Sequence, residues 1–333
     1  MRRFVALTFF IPVFVLTGVA AAGGTTINLV AFSTPKAVMG TLIANWTNTP
    51  AGSGVTFTQS YNSSSVQAKA IIAGLPADIA FLSNALDIDS LVSAGLVAKN
   101  WAQVSPQGGM VANSVVAFVV RPGNPKHITS WADLTKPGVQ VVTPDPFPSG
   151  GAKWNILAAY GAQRKMGKSD KQATAYVQKL FHNVVQQDPS ASTAMQTFIS
   201  GKGDVLLTYE SEAYSALAAG KSLKIIIPKQ TMLIQLPMVA LKTAPAKAKT
   251  FIKYCHSYEA QKLFTLAGYR PVIGSVLNNK SLKAWKARFN PGGHLIFPIT
   301  DKIFGGWSKA SSVWFGQNGR MVKIEQAVGG PTS

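Results

Sequence analysis

The residue types that most often carry chemistry are sparse in this chain. There are four histidines, His127, His182, His256 and His294, and no two stand at metal-ligand spacing. The single cysteine, Cys255, has no partner for an internal disulfide. It falls in an apolar stretch from Thr250 to Leu263 that reads as helix, which predicts a packed thiol rather than a nucleophile, since no base is nominated beside it. The closest carboxylate pairs, Asp87/Asp89 and Glu210/Glu212, are both spaced i, i+2. Acid/base work is one use for such pairs, but surface solvation or capping of helix N-termini is the expected one. No nucleophile elbow, Walker loop or dinucleotide fingerprint occurs. These residues supply no metal, cofactor or acid/base constellation, and an enzyme is not expected.

A different chemistry is present in four segments rich in Ser, Thr and Gly. They are Ser33-Thr34-Pro35, Asn62-Ser63-Ser64-Ser65, Ser149-Gly150-Gly151 and Ala191-Ser192-Thr193. Each stands shortly after a segment that reads as a strand and opens one that reads as a helix. A helix start offers unpaired N–H groups and a partial positive charge, and glycine lets a ligand approach that backbone closely. One such start is ordinary capping. Several converging on a point would bind an oxyanion without a counter-cation.

The elements that must position these starts alternate in type. Strands are predicted at Ile27–Phe32, Val55–Gln59, Ile79–Leu82, Val115–Val120, Val139–Thr143, Val184–Gln186, Val205–Thr208, Lys224–Ile227 and Met238–Leu241. Helices are predicted at about Lys36–Trp46, Val66–Ile72, Ile88–Ala94 and Ala152–Tyr160, and in the segment carrying Phe251 and Tyr254. This order argues for an α/β fold with helices on both faces of a mainly parallel sheet. Two crossovers, near 115–120 and 235–240, would divide the chain into two lobes. Lobe one would be residues 25–115 plus 240–333, and lobe two residues 116–239.

The first 22 residues read as a secretory signal. Arg2 and Arg3 precede an apolar run from Phe4 to Leu16, and Ala20-Ala21-Ala22 offers the small residues at which such signals are cut. A periplasmic protein cleaved near Ala22 is therefore expected. The chain carries 32 Lys+Arg against 13 Asp+Glu, formally +19, so that 19 − 2 = +17 remains without Arg2 and Arg3. Its basic residues are scattered, no nucleic-acid motif is present, and an exported chain with this pattern is not expected to bind nucleic acid. With so few carboxylates, little stability should be lost on acidification, which suits an acidic extracytoplasmic space.

The segments Ala77-Asp78-Ile79-Ala80, Val120-Arg121-Pro122-Gly123-Asn124-Pro125-Lys126, Thr143-Pro144, Ser149-Gly150-Gly151-Ala152-Lys153-Trp154-Asn155, Gly203-Asp204-Val205-Leu206-Leu207, Tyr269-Arg270-Pro271 and Ile303-Phe304-Gly305-Gly306-Trp307 carry a family resemblance. Through them the chain resembles the periplasmic sulfate- and thiosulfate-binding proteins of bacterial ABC importers, over nearly its whole length after residue 22. The resemblance implies a two-lobed, type II periplasmic binding fold with a ligand cleft between the lobes. It implies a monomer that delivers sulfate or a related oxyanion to a membrane permease, with no cofactor. The ligand-binding residues it implies are the Ser64 side chain, the backbones of Ser149, Gly150, Gly151 and Ala191, and Ser33 where the family has the Asp of an Asp-Pro pair. Tyr209 stands where the family has an indole donor. Phosphate, molybdate or ferric iron are the alternative ligands, with Asp145 or Tyr209 as acceptors for a protonated phosphate. A secreted enzyme is the more distant alternative.

Overall fold

Runs of Val, Ile and Phe form strands here because branched and aromatic side chains fill a pleated surface that is covered on both faces. The structure is a computed structural model and describes residues 24–290 and 292–331. The expected signal segment, residues 1–22 with its cut near Ala22, lies outside the described residues.

The chain begins with β1 (Thr25–Phe32), α1 (Lys36–Thr47), β2 (Val55–Asn62), α2 (Ser64–Ile72), β3 (Ile79–Phe81), α3 (Ala85–Ser93) and the short α4 (Trp101–Val104). Then come β4 (Met110–Val120), β5 (Val141–Pro144), α5 (Gly150–Lys165), α6 (Asp170–His182), β6 (Val184–Asp188), α7 (Ala191–Ile199), β7 (Val205–Tyr209), α8 (Glu210–Ala218), β8 (Lys224–Ile226) and β9 (Gln230–Ala240). The last part holds α9 (Ala246–Cys255), α10 (Tyr258–Leu266), α11 (Lys283–Phe289), β10 (Leu295–Phe297), α12 (Gly306–Trp314) and α13 (Arg320–Val328).

The strand order β2-β1-β3-β9-β4-β7-β5-β6 contains two parallel groups joined by two long antiparallel strands. β1 pairs in parallel with β2 and β3, and β5 pairs in parallel with β6 and β7. The joining strands change partner along their length. β4 pairs with β9 from Met110 to Val115 and with β7 from Val116 to Val120. β9 in turn pairs with β3 from Met238 to Ala240. β9 thus borders the first group and β4 the second, and their pairing with each other joins the two lobes.

Two features differ from the sequence expectation. The stretch from Thr250 to Leu263 is two helices rather than one, because Ser257 caps α10 by accepting from Ala260 N–H at 3.3 Å. Cys255 closes α9, fully buried, and burial pushes its thiol far above its ordinary value. The second difference is the end of the chain, expected within the first lobe. β10 pairs with the start of β9, Trp307 stacks edge-on against Trp154 of α5 at 4.6 Å, and Trp314 packs on Tyr160 of the same helix at 4.9 Å. Arg320 holds Asp170 of α6 through two bonds of 2.8 Å. Residues 295–331 therefore rest largely on α5 and α6, because the apolar and charged partners of this segment lie there.

Candidate functional site

In a parallel sheet, the carboxyl ends of the strands and the starts of the following helices share one edge. Both halves of this molecule turn that edge toward the same small cavity. Ser33, Ser64, Ser149, Gly150, Gly151, Ala191 and Tyr209 all line it. The enclosed space is about 10 Å³. That is the scale of one water, far below the several hundred Å³ of a site for an organic metabolite.

Each wall comes from a strand-to-helix turn. Ser33 lies between β1 and α1, and Ser64 opens α2. Ser149 precedes α5 and Ala191 opens α7, where Ser190 accepts from Thr193 N–H at 3.1 Å. Tyr209 ends β7 directly before α8. The N–H groups of Ser64, Gly150, Gly151 and Ala191 have no partner within the described chain. They are the orphan donors of their helix starts, and they carry the positive ends of the helix dipoles.

The two glycines are required by close approach. A Cβ on Gly150 would lie 1.7 Å from Ser83 Oγ, and one on Gly151 would lie 2.9 Å from the Tyr209 ring. Further bonds join the halves around the cavity. Trp154 Nε1 donates to Ser83 O at 2.8 Å, Ser65 N–H to Pro148 O at 3.2 Å, and Lys153 Nζ to Ser65 Oγ at 2.8 Å. Asn155 anchors the same helix to the sheet by donating to Leu207 O at 2.9 Å. The segment from Ser149 to Asn155 thus acts residue by residue. It supplies donors, permits close approach, and ties α5 across to the other half.

The lining holds Phe, Ser, Thr, Gly, Ala and Tyr, with no charged side chain. Charges stand one layer behind. Asp87 is buried and accepts from Ser64 Oγ at 2.5 Å, Ser65 Oγ at 2.8 Å and Asn84 Nδ2 at 3.1 Å. Lys153 is buried too, and desolvation lowers its pKa although Asp87 opposes the shift. On the other flank sits Glu212. Its carboxyl is pushed up to about 7 by burial, with the Thr34 and Ser192 hydroxyls offsetting part of the shift.

The structure refines the roles expected of several residues. The Ser64 hydroxyl accepts from Ser83 N–H at 2.9 Å and directs its own proton at the Asp87 carboxylate. A bond to an ionised acceptor is the stronger use of that proton, so what Ser64 offers the cavity is its backbone N–H. Ser149 is reversed: its N–H already bonds Asp145 O at 3.1 Å, which leaves its hydroxyl as the donor. Tyr209 is 1% exposed and its hydroxyl sits over Gly151 and beside Ser83. Burial raises its pKa far above the ordinary value, so it remains a proton donor. Asp145 does not line the cavity. Glu210 and Glu212, expected at a solvated helix start, do occupy the first turn of α8 but are buried.

Sequence reasoning missed Phe32, Ser83 and Ser190 as wall residues, while Thr34 and Ser63 stand in the segments it singled out. A signal for Ser83 existed. It follows β3 and precedes α3, the same strand-to-helix position as the four segments singled out. Among the described residues no group of three or more His, Cys, Asp or Glu is placed to hold a metal ion. No described helix is long and apolar enough to cross a membrane.

Known proteins are similar to this chain in sequence and in fold. The sulfate-binding protein of Synechococcus elongatus is 36% identical over 285 residues, covering 84% of this chain and 79% of that protein. The thiosulfate-binding protein of Pseudomonas aeruginosa is 34% identical over 274 residues, covering 79% and 80%. The structure of the sulfate-binding protein SubI from Mycobacterium tuberculosis superposes with a TM-score of 0.81 at 36% identity, covering 87% of this chain and 99% of that one. These relatives are named as binding proteins. Residues 27–270 match the family described as bacterial extracellular solute-binding protein, and the chain belongs to that family.

Proposed function

We propose that this protein captures sulfate or thiosulfate outside the cytoplasm and hands it to an ABC importer. The observation that carries this reading is the cavity itself: helix starts from both halves meet around a space of about 10 Å³ whose lining is entirely neutral. A dehydrated dianion fits such a place, because N–H and O–H dipoles stabilise it without a counter-ion. Each donor to a charged acceptor contributes ~1.5–3 kcal/mol, and the donors together on the order of 10–20 kcal/mol gross. Dehydration and lobe closure offset much of that, leaving about −8 kcal/mol or better, micromolar or tighter.

The site residues in this reading are Ser33, Ser64, Ser149, Gly150, Gly151, Ala191 and Tyr209, in the roles their hydrogen bonds leave open. The lobes in this reading divide near Val115 and Ala240, with residues 295–331 lying across to the second lobe. The protein works as an exported monomer, cut near Ala22, with a permease as its partner and no catalytic step. The names of the relatives support sulfate and thiosulfate over phosphate or molybdate.

Calorimetric titration with sulfate, thiosulfate, phosphate and molybdate tests the reading. Sulfate or thiosulfate should bind tightest, with weak dependence on ionic strength, since no exposed ion pair is formed. Absence of saturable binding for both, or an affinity that collapses as salt rises, would sink it. Mass spectrometry of the exported form should give an N-terminus near Gly23.

A further inference from the structure

A second cavity, of about 550 Å³, opens beside the end of β9. It shares no residue with the anion cavity. Its origin is topological. β4 begins at Met110, opposite Pro237, so from Met238 onward one edge of β9 has no strand beside it. The preceding chain peels away through Gln107, Gly108 and Gly109, all at positive φ, and α4 is carried off the sheet with it. The gap is walled by α4, by the turn at Val97 and by α9.

The floor of this gap is apolar. Val97, Met238 and Leu241 line it and are buried. At the rim stands Val104, 69% exposed and the most exposed large hydrophobic side chain among the described residues. The mouth is basic. Lys242, Lys249 and Lys253 all line the cavity, and none of their ammonium groups has a hydrogen bond or ion pair within the described chain. Lys249 and Lys253 stand i, i+4 on α9, an arrangement of like charges that weakens a helix unless an anion lies between them. No carboxylate side chain lines the cavity to do so.

We propose that this cavity is a binding site for a single-chain anionic amphiphile, a long-chain carboxylate, with its aliphatic tail on the apolar floor and its head group at the three lysines. The volume lies in the range of sites that enclose molecules of that size. An apolar floor alone would accept any grease. The three unpaired ammonium groups among its lining residues select a negative head.

The test is calorimetric titration of the whole protein, with sulfate present, using dodecanoate below its micelle concentration. One saturable site is expected, with dodecyltrimethylammonium at least ten-fold weaker. The triple variant K242Q/K249Q/K253Q should bind dodecanoate at least ten-fold more weakly. Ala98→Trp, which fills the cavity from its wall, should abolish binding. The lysine changes are at exposed positions, so they give a readout even if the tryptophan variant does not fold. No saturable heat with dodecanoate, equal binding of the cationic amphiphile, or unchanged affinity in the triple variant would each overturn the proposal. So would adsorption of wild type and triple variant alike to anionic phosphatidylglycerol vesicles without binding of the monomeric amphiphile. That result would assign the lysines to general adhesion.

Discussion

Negative charge is accommodated in two ways within a few residues of the start of α8. The Glu210 carboxylate, fully buried, is gripped by Arg270, through Nε at 2.6 Å and Nη2 at 3.1 Å. The cavity beside Tyr209 has no cation on its walls. Glu210 is a fixed part of the fold, so a fixed guanidinium suits it, held in turn by its Nη1 bond to Phe289 O at 2.6 Å. A ligand is a visiting charge. A buried cation in the cleft would be left uncompensated each time the ligand departed, at a cost of several kcal/mol. Neutral N–H and O–H groups donate to water in the interval at far lower cost.

Glu212 lies two residues further along the same helix and has neither arrangement. It has no cation partner, its Oε2 atom is buried without a hydrogen bond, and its pKa is pushed up to about 7. Burial raises the pKa of both carboxyls, but at Glu210 the Arg270 guanidinium opposes the shift, whereas no cation does so at Glu212.

The contrast can be broken most forcefully at Arg270. Arg270→Met leaves Glu210 buried and unpaired, and urea denaturation should show a loss of about 3–5 kcal/mol. Sulfate affinity in that variant, measured in the folded protein, should change far less. An equal loss in both would mean that the ion pair and the cleft are one device.

Acid titration probes Glu212. Its folded pKa, about 7, is above its ordinary 4.5. Its stabilising contribution is therefore complete below about pH 4.5 and lost as pH rises through 7, a swing of about 3 kcal/mol. Glu325, also raised to about 7 by burial, acts in the same direction. Asp133, Asp170 and Asp301 have lowered values and cost stability only on acidification below the ordinary carboxylate range. The unfolding midpoint should rise between pH 8 and pH 5, and Glu212→Gln should flatten that rise. A midpoint that falls over this interval would contradict the assignment.

Closure depends on Gly150. Gly150→Ala puts a methyl into Ser83 and should weaken sulfate at least 100-fold by calorimetry, about 2.7 kcal/mol, with little effect on the unfolding midpoint. Wild-type affinity would show that the halves need not meet this closely. Ser149→Ala should weaken sulfate by ~1–3 kcal/mol, through loss of a hydroxyl donor to the anion. Ser64→Ala should instead cost mainly stability, because its proton serves Asp87. If the two serines exchange these effects, the proton assignments are wrong.

The smallest effect is expected at Tyr209. Tyr209→Phe should weaken sulfate by ~1–2 kcal/mol if the hydroxyl is a donor. A phenol also accepts where an indole cannot, so Tyr209→Trp should sharpen the preference for sulfate over phosphate. An unchanged ratio in a parallel titration would remove Tyr209 from selectivity while leaving it as a donor.

The local sequence determined a good deal. Strand and helix alternation was legible because apolar runs, Gly and Pro act within a few residues. β1, β2, β3, β5, β7 and four helix starts at the cleft followed from such runs. So did the neutral chemistry of the cavity, since the four Ser-, Thr- and Gly-rich starts carry N–H and hydroxyl groups but no charge. What only the tertiary structure decided depends on partners far apart in the chain. Ser83 becomes a wall because Gly150 and Trp154 are brought against it. The Ser64 proton is claimed by Asp87, 23 residues away. Glu210 is buried because Arg270 arrives from 60 residues downstream. The end of the chain settles on α5 and α6 because Trp154, Tyr160 and Asp170 wait there. No local pattern encodes such meetings, since each is fixed by the packing of whole elements rather than by the conformational preference of any one of them.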